Sequence, residues 1–344
     1  MVSLGAPTLA AARGHAGTSG HLGPATSTGK KPPKAPRYDF GAPDAILSKR
    51  GIVWVVNPST GSVTELDAAT ARLVRVVKGK QYRFDYPNGI AVDRTHVWIT
   101  NLYGDSVTEF SSSSGRLIRV ITGRQYHFVL PSGVVSDGSR VWIASGSGNS
   151  VTEIAASSGA RLRVLRNPTF GFSHPSALSL DGAHLWVTNS YGGAVTEIDA
   201  ATGTLIGDIK GPSFGFSYPS AVLASGRSVW VASSAYRSAL TELANATGGL
   251  LRVLNGPKLG LSYSGSISSD GRRLWVANAG NAGTVTELTD SGRFVRVIKG
   301  ARFGFSLPDA LSSDGTHVWV ANHTADSVTE LDAVTGALVR ILTN

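Results

Sequence analysis

No cysteine occurs in this chain. That excludes a disulfide framework, a zinc–thiolate site and a cysteine nucleophile. Charged residues are scarce at 16%. No run reaches the ~20 apolar residues that a membrane helix needs. There is no His-Glu-x-x-His, no histidine pair at metal spacing and no Gly-x-Ser-x-Gly elbow, so the commonest hydrolase signatures are missing.

The formal charge of +9 is unevenly spread. Arg13, Lys30, Lys31, Lys34 and Arg37 stand in an opening segment with no acid, which leaves 27 basic against 23 acidic residues beyond it. No Lys/Arg stripe with interleaved aromatics appears there, so a nucleic-acid partner is not expected. Residues 1–35 are rich in Ala, Gly, Ser, Thr and Pro, hold few bulky apolar groups and cannot build a core. They are expected to be a disordered low-complexity tail. The stretch from Met1 to Ala12 reads as the end of a truncated signal peptide lacking its basic start. The expectation is an upstream start codon and an exported protein, which a cysteine-free composition suits.

What the chain does have is a clock. Its seven tryptophans are Trp54, Trp98, Trp142, Trp186, Trp230, Trp275 and Trp319, at intervals of 44, 44, 44, 44, 45 and 44. A fixed period of this size marks a repeat architecture. Twenty-five steps separate Trp319 from Asn344 and eighteen separate Pro36 from Trp54, so one joining step makes the gap 44 again. A ring closes in register in this way and a linear solenoid need not. Each repeat divides into four β-rich runs, as in DALSS, HVWVAN, SVTELD and ALVRIL of the last copy. The expected fold is all-β: a seven-bladed β-propeller over residues 36–344, with four antiparallel strands per ~44-residue blade.

The turns agree. Asp-Gly separates the first and second runs at Asp137-Gly138, Asp181-Gly182, Asp270-Gly271 and Asp314-Gly315, a pair that tolerates the positive φ of a tight hairpin. Six copies carry Gly between the third and fourth runs and the first carries Ala71, so that turn should be strained. The third run contains Glu in every copy, and the fourth answers with Arg in all but the fourth copy, where Gly207 stands. Glu65 and Arg75 fall opposite each other across the hairpin, which points to cross-strand ion pairs rather than to a carboxylate site. The tryptophans should pack between blades, each N–H finding an acceptor. The loop entering each blade reads YDFGAP, YRFDYP, YHFVLP, FGFSHP, FGFSYP, LGLSYS or FGFSLP. Its aromatics suggest a plug that pins one blade to the next.

A specific site must come from residues that break the symmetry. The residue after the loop proline starts the innermost strand and should face the channel mouth. Around the ring it is Asp44, Asn88, Ser132, Ser176, Ser220, Gly265 and Asp309. Asp309, Asp44 and Asn88 belong to neighbouring blades and make one acidic arc. The two aspartates are candidate ligands for Ca²⁺ or Mg²⁺. On the loops between second and third strands, Tyr103, Tyr191, Tyr236, Arg237 and His323 replace small residues and, with Asn88 of the arc, are candidate ligand contacts. His96, His184 and His317 lie on the opposite side and read as surface residues.

With its pieces placed, the repeat resembles the YVTN/NHL-type propellers of bacteria. The matching segments are Pro131-Ser132-Gly133, Asp137-Gly138, Val318-Trp319-Val320-Ala321-Asn322 and Val328-Thr329-Glu330-Leu331-Asp332. The resemblance implies a propeller fold for nearly the whole chain after the tail. It implies little about function, because such propellers serve as surface proteins, sensor domains and occasional enzymes. Streptogramin B lyase is similar in blade plan and uses a His/Glu group with Mg²⁺ at its channel mouth. This chain has no His at the start of an innermost strand. The expected function is therefore a non-catalytic, secreted or cell-surface binding module, monomeric, contacting a protein or cell-envelope glycan through its mouth loops. A Mg²⁺-dependent lyase or hydrolase, requiring Asp44, Asp309 and a mouth-side His to converge, is one alternative. A purely structural scaffold is another, and a cytoplasmic location is the alternative to export.

Overall fold

The computed structural model describes residues 37–236, 238–280 and 283–344. The expected tail lies outside them. The described chain forms seven separate four-stranded antiparallel sheets, each made of consecutive strands in chain order. The innermost strands pack side by side around a ring, and that of the last blade (Pro308–Ser313) meets that of the first (Ala45–Lys49). No sheet mixes strands of the two. The seam is closed by side chains instead: Asn344 Oδ1 accepts from Phe40 N at 2.9 Å and its Nδ2 donates to Phe40 O at 2.7 Å.

The turns follow the sequence closely. Gly138, Gly182, Gly271 and Gly315 have φ between 83° and 99°. The aspartate before each adds a second device, as Asp137 Oδ1 accepts from the N–H groups of Ser139 and Arg140 at 2.7 Å each. Ala71 holds the left-handed conformation that Gly supplies elsewhere, with φ 57°.

All seven tryptophans are at most 2% exposed. Only some of their N–H groups find the expected acceptor. Trp98 Nε1 donates to Asp93 Oδ2 at 3.1 Å, whereas those of Trp54, Trp186, Trp230 and Trp275 have no hydrogen-bond partner among the described residues. Trp142 and Trp230 gain a different contact, with Arg140 and Arg252 guanidinium carbons 4.9 and 5.7 Å from their ring centres.

The expected register holds: Glu65 opposes Arg75, Glu109 opposes Arg119, Glu153 opposes Arg163, and Glu197 opposes Gly207. The ion pairs are short, from 2.5 Å for Arg252–Glu242 to 3.0 Å for Arg75–Glu65. Each arginine also reaches past its own blade. Arg75 Nη2 donates to Ser113 O at 2.7 Å, Arg119 Nη2 to Ser157 O at 3.1 Å and Arg163 Nη2 to Ala201 O at 3.0 Å. Arg252 and Arg296 do the same to Ser291 and Thr335. Arg340 Nη1 donates to Thr70 O at 2.8 Å, which carries the chain of clasps across the seam.

The carboxylates have a second partner that sequence reasoning missed. His96 lies 3.6 Å from Glu109, Arg140 3.8 Å from Glu153, Arg273 3.0 Å from Glu287 and His317 3.5 Å from Glu330. His96, His184 and His317 are thus half-buried beside these carboxylates and not free surface groups. His184, 3.5 Å from Glu197, holds the same position in the fourth blade, where Gly207 leaves Glu197 without an arginine opposite it. The first blade has Ile52 at this position, so Glu65 faces Arg75 alone. Burial outweighs that one guanidinium and pushes the Glu65 carboxyl from 4.5 up to about 7.

Two outcomes follow. Arg340→Ala should destabilise by about 1–2 kcal/mol in denaturant unfolding, the low end for a charged hydrogen bond because its side chain is 41% exposed. A loss under about 0.3 kcal/mol would remove the seam clasp from the account. Glu65 binds its proton more tightly folded than unfolded. Its contribution is complete below about pH 4.5 and is lost as pH rises through about 7. The fall in stability across that window should be shallower in Glu65→Gln, and in Ile52→Arg, which supplies the missing cation.

Candidate functional site

The innermost strand carries a β-bulge just after the loop proline in most blades. Pro87 opposes Asn101 and Gly89 opposes Thr100, which leaves Asn88 extra. In the same way Pro308 opposes Asn322 and Ala310 opposes Ala321, which leaves Asp309 extra. A bulge re-aims the side chain of its unpaired residue, and here the residue after the loop proline is the one affected, as Asn88 and Asp309 show, while the first blade pairs without a bulge. Around much of the ring these residues only pass hydrogen bonds along. Ser132 Oγ donates to Ser176 O at 3.0 Å, and Ser220 Oγ to Ser264 O at 2.6 Å. Asn88 Oδ1 accepts from Thr100 Oγ1 at 3.0 Å, which ties it into the same kind of local network.

Asp44 and Asp309 are different. His323 begins a single 3₁₀ turn, His323–Ala325, on the loop after the second strand of the seventh blade. Its Nδ1 lies 3.8 Å from Asp44 Oδ1 and 3.8 Å from Asp309 Oδ2. One donor atom from each of the three residues lies within 4.8 Å of the other two. His323 Nδ1 is buried and has no hydrogen-bond partner among the described residues. The three residues thus converge across the seam. Asp44 and His323 are 279 positions apart, and nothing in the sequence pattern shows this approach.

The electrostatics are those of crowded carboxylates. Burial, then the charge of Asp309 and a hydrogen bond to it, push the Asp44 carboxyl from 3.8 up to about 7. Tyr86 stands beside the pair. Burial first, then Asp44, Tyr103 and Asp309, raise its hydroxyl above the usual tyrosine range, so it is a proton donor and not a base at neutral pH. Tyr103 is 62% exposed and its ring lies 4.9 Å from that of Tyr86. The acidic site therefore has an aromatic wall.

The other candidate contacts do not join this cluster. Tyr191, 71% exposed, stacks on His174 at 4.4 Å and meets Tyr218 edge-on at 6.3 Å. Tyr236, 65% exposed, borders a separate cavity between the fifth and sixth blades. Arg237 lies outside the described residues. The mouth face thus carries three groups and not one. His174, Tyr86 and Tyr218, missed as contacts in the sequence, share one signal: each directly precedes the loop proline and has positive φ, between 52° and 56°.

No family model matches the chain, and no curated protein matches it. Solved structures do. Hydrazine synthase of Kuenenia stuttgartiensis is similar over 89% of this chain and 99% of its own, at 18% identity and TM-score 0.70. A computationally designed protein, Ika8, is similar over 88% and 87%, at 18% identity and TM-score 0.64. Streptogramin B lyase is similar over 83% and 92%, at 16% identity and TM-score 0.67. At these identities the likeness establishes a common propeller fold and nothing about chemistry.

Proposed function

We propose that this protein is a binding propeller whose mouth carries a cation site across the seam, formed by Asp44, Asp309 and His323. The observation that carries this reading is the convergence of their donor atoms within 4.8 Å. Two carboxylates held this close repel each other unless a proton or a cation lies between them. Metal–ligand bonds of about 2.0–2.2 Å would draw the three groups inward by roughly 1 Å. A set with one imidazole and two carboxylates suits Zn²⁺ or Mn²⁺ better than Mg²⁺ or Ca²⁺, which favour all-oxygen shells. The exposed rings of Tyr103, Tyr191 and Tyr236 are the surface on which a protein or cell-envelope glycan would rest.

A second reading, a metal-dependent lyase or hydrolase like the lyase named above, draws on the same convergence. It needs a general base beside the ion. Among the described residues no second histidine joins the cluster, and Tyr86 holds its proton. Binding is therefore the better-supported function. Export is part of the proposal, supported by the composition of residues 1–12. No helix of the described residues is long and apolar enough to cross a membrane. N-terminal sequencing of the natively produced protein tests export, and an intact Met1 rejects it.

The site is tested by thermal unfolding in EDTA, Ca²⁺, Mg²⁺, Mn²⁺ and Zn²⁺, beside Asp44→Ala/Asp309→Ala. An ion at 100 times its Kd adds about 2.7 kcal/mol to the native state, and the double variant should lose that gain. Ion binding displaces the proton on Asp44, so affinity should climb as pH rises through about 7. Without an ion, Asp44 contributes stability below about pH 4 that is lost as pH rises through about 7. No shift with any ion would make the cluster a proton-sharing pair and move the function to the tyrosines.

A further inference from the structure

The turn joining the first strand of each blade to the second lies on the face opposite the mouth, and it breaks the repeat in two adjacent blades. Five residues before the tryptophan, where five blades have Asp and one has Ser, the first blade has Lys49. At the next place five blades have Gly, and the first and second have Arg50 and Arg94. Arg50 stands in the left-handed conformation, with φ 55°, where Gly226 of the fifth blade has φ 59°. A long side chain there carries backbone strain that glycine avoids, and strain of this kind gathers at functional sites. These departures border a cavity of about 490 Å³, walled by the turns of the first three blades. That volume lies in the range of small-molecule sites, ~300–1,000 Å³.

Lys49, Arg50, Asp93, Arg94 and Asp137 all line this cavity, but their charges are unevenly paired. Asp93 accepts from the N–H groups of Thr95 and His96 at 2.9 and 2.8 Å, from Trp98 Nε1 at 3.1 Å and from Ser136 Oγ at 3.2 Å. Asp137 accepts from the N–H groups of Ser139 and Arg140 at 2.7 Å each, and from Arg140 Nε and Nη2 at 3.2 and 3.1 Å. About four bonds fill the lone-pair directions of a carboxylate, so both aspartates are spent on their own turns. Arg50 and Arg94 make no ion pair among the described residues, whereas the aspartates pair with His96 and Arg140. Lys49 reaches to the second blade, where its Nζ donates to Val92 O at 2.6 Å. Burial first, then the charge of Arg50, hold its ammonium below the usual lysine range, and Asp93 offsets part of this. An anion would relieve such crowding. Two guanidiniums and an ammonium suit a phosphate group better than a carboxylate, because phosphate brings up to two charges and three acceptor oxygens to donors arriving from two turns.

We infer that this cavity, on the face away from the mouth, is a binding site for a phosphate group held by Lys49, Arg50 and Arg94. It does not depend on the cation site. The test is calorimetry in EDTA at low ionic strength, with inorganic phosphate, glucose 6-phosphate, acetate and citrate, beside flotation with phosphatidylcholine vesicles that contain or lack phosphatidic acid. Phosphate or its ester should bind the wild-type chain more tightly than either carboxylate, and added salt should weaken the binding. Tighter binding of the sugar phosphate than of phosphate would make a free phosphomonoester the occupant, whereas binding confined to phosphatidic acid vesicles would make it a lipid headgroup. Arg50→Gly/Arg94→Gly gives both turns the residue of the other five blades. It should unfold within a few degrees of wild type, since both side chains are exposed, and should bind at least tenfold more weakly. Arg272→Ala, an exposed arginine of the same face in the sixth blade, should leave binding unchanged, as should Asp44→Ala/Asp309→Ala at the mouth. No binding of any phosphate, equal binding of citrate, or equal loss in Arg272→Ala would each overturn the inference, as would undiminished binding by the double glycine variant. A missing thermal shift with metal ions would bear only on the cation site.

Discussion

A buried carboxylate on the third strand of every blade is the constraint around which this ring is organised. A lone glutamate at 0–5% exposure would be a heavy burden. The structure meets it with a guanidinium from the fourth strand and, in most blades, a second partner from the start of the second. The arginine then has donors left over, and these reach a carbonyl in the next blade's turn. One buried charge thus organises three strands of its own sheet and the contact to its neighbour. Where the pattern is thinned, the consequences are local and specific. The first blade has one partner for Glu65 and a carboxyl shifted to about 7, and the fourth keeps His184 but has Gly207 where the arginine stands elsewhere.

Much of the fold was legible in the sequence because the repeat writes each rule seven times. The tryptophan period gave the blade number, Asp-Gly gave the turns, and the hairpin between third and fourth runs placed Glu65 opposite Arg75. The second cation was not legible in that way. Its position is taken by Ile52, His96, Arg140, His184, Ser228, Arg273 and His317, so no single residue type marks it in every blade. Ser228 does the work with a hydroxyl, donating to Glu242 at 2.6 Å. Nor could the indole acceptors be read, because they depend on side-chain placement within each turn.

The candidate site divides along the same line. Asp44 and Asp309 could be placed at the mouth from position alone, and ring closure made them neighbours. His323 could be placed on the right face but not at the right distance. The bulge that turns Asp309 and the 3₁₀ turn that carries His323 are both local departures from regular geometry, and a repeat consensus averages such departures away.

The seam has a mechanical meaning. The first and last blades share no strand, so a pull on the two ends of the ring is resisted there by side-chain bonds and not by a ladder of backbone pairs. Asp44 stands on one side of that seam, Asp309 and His323 on the other. An ion held among them would be a rivet, joining residues 265 positions apart. Its loss would leave the ring free to part at one defined place, and the binding state of the mouth would set the force at which the ring opens.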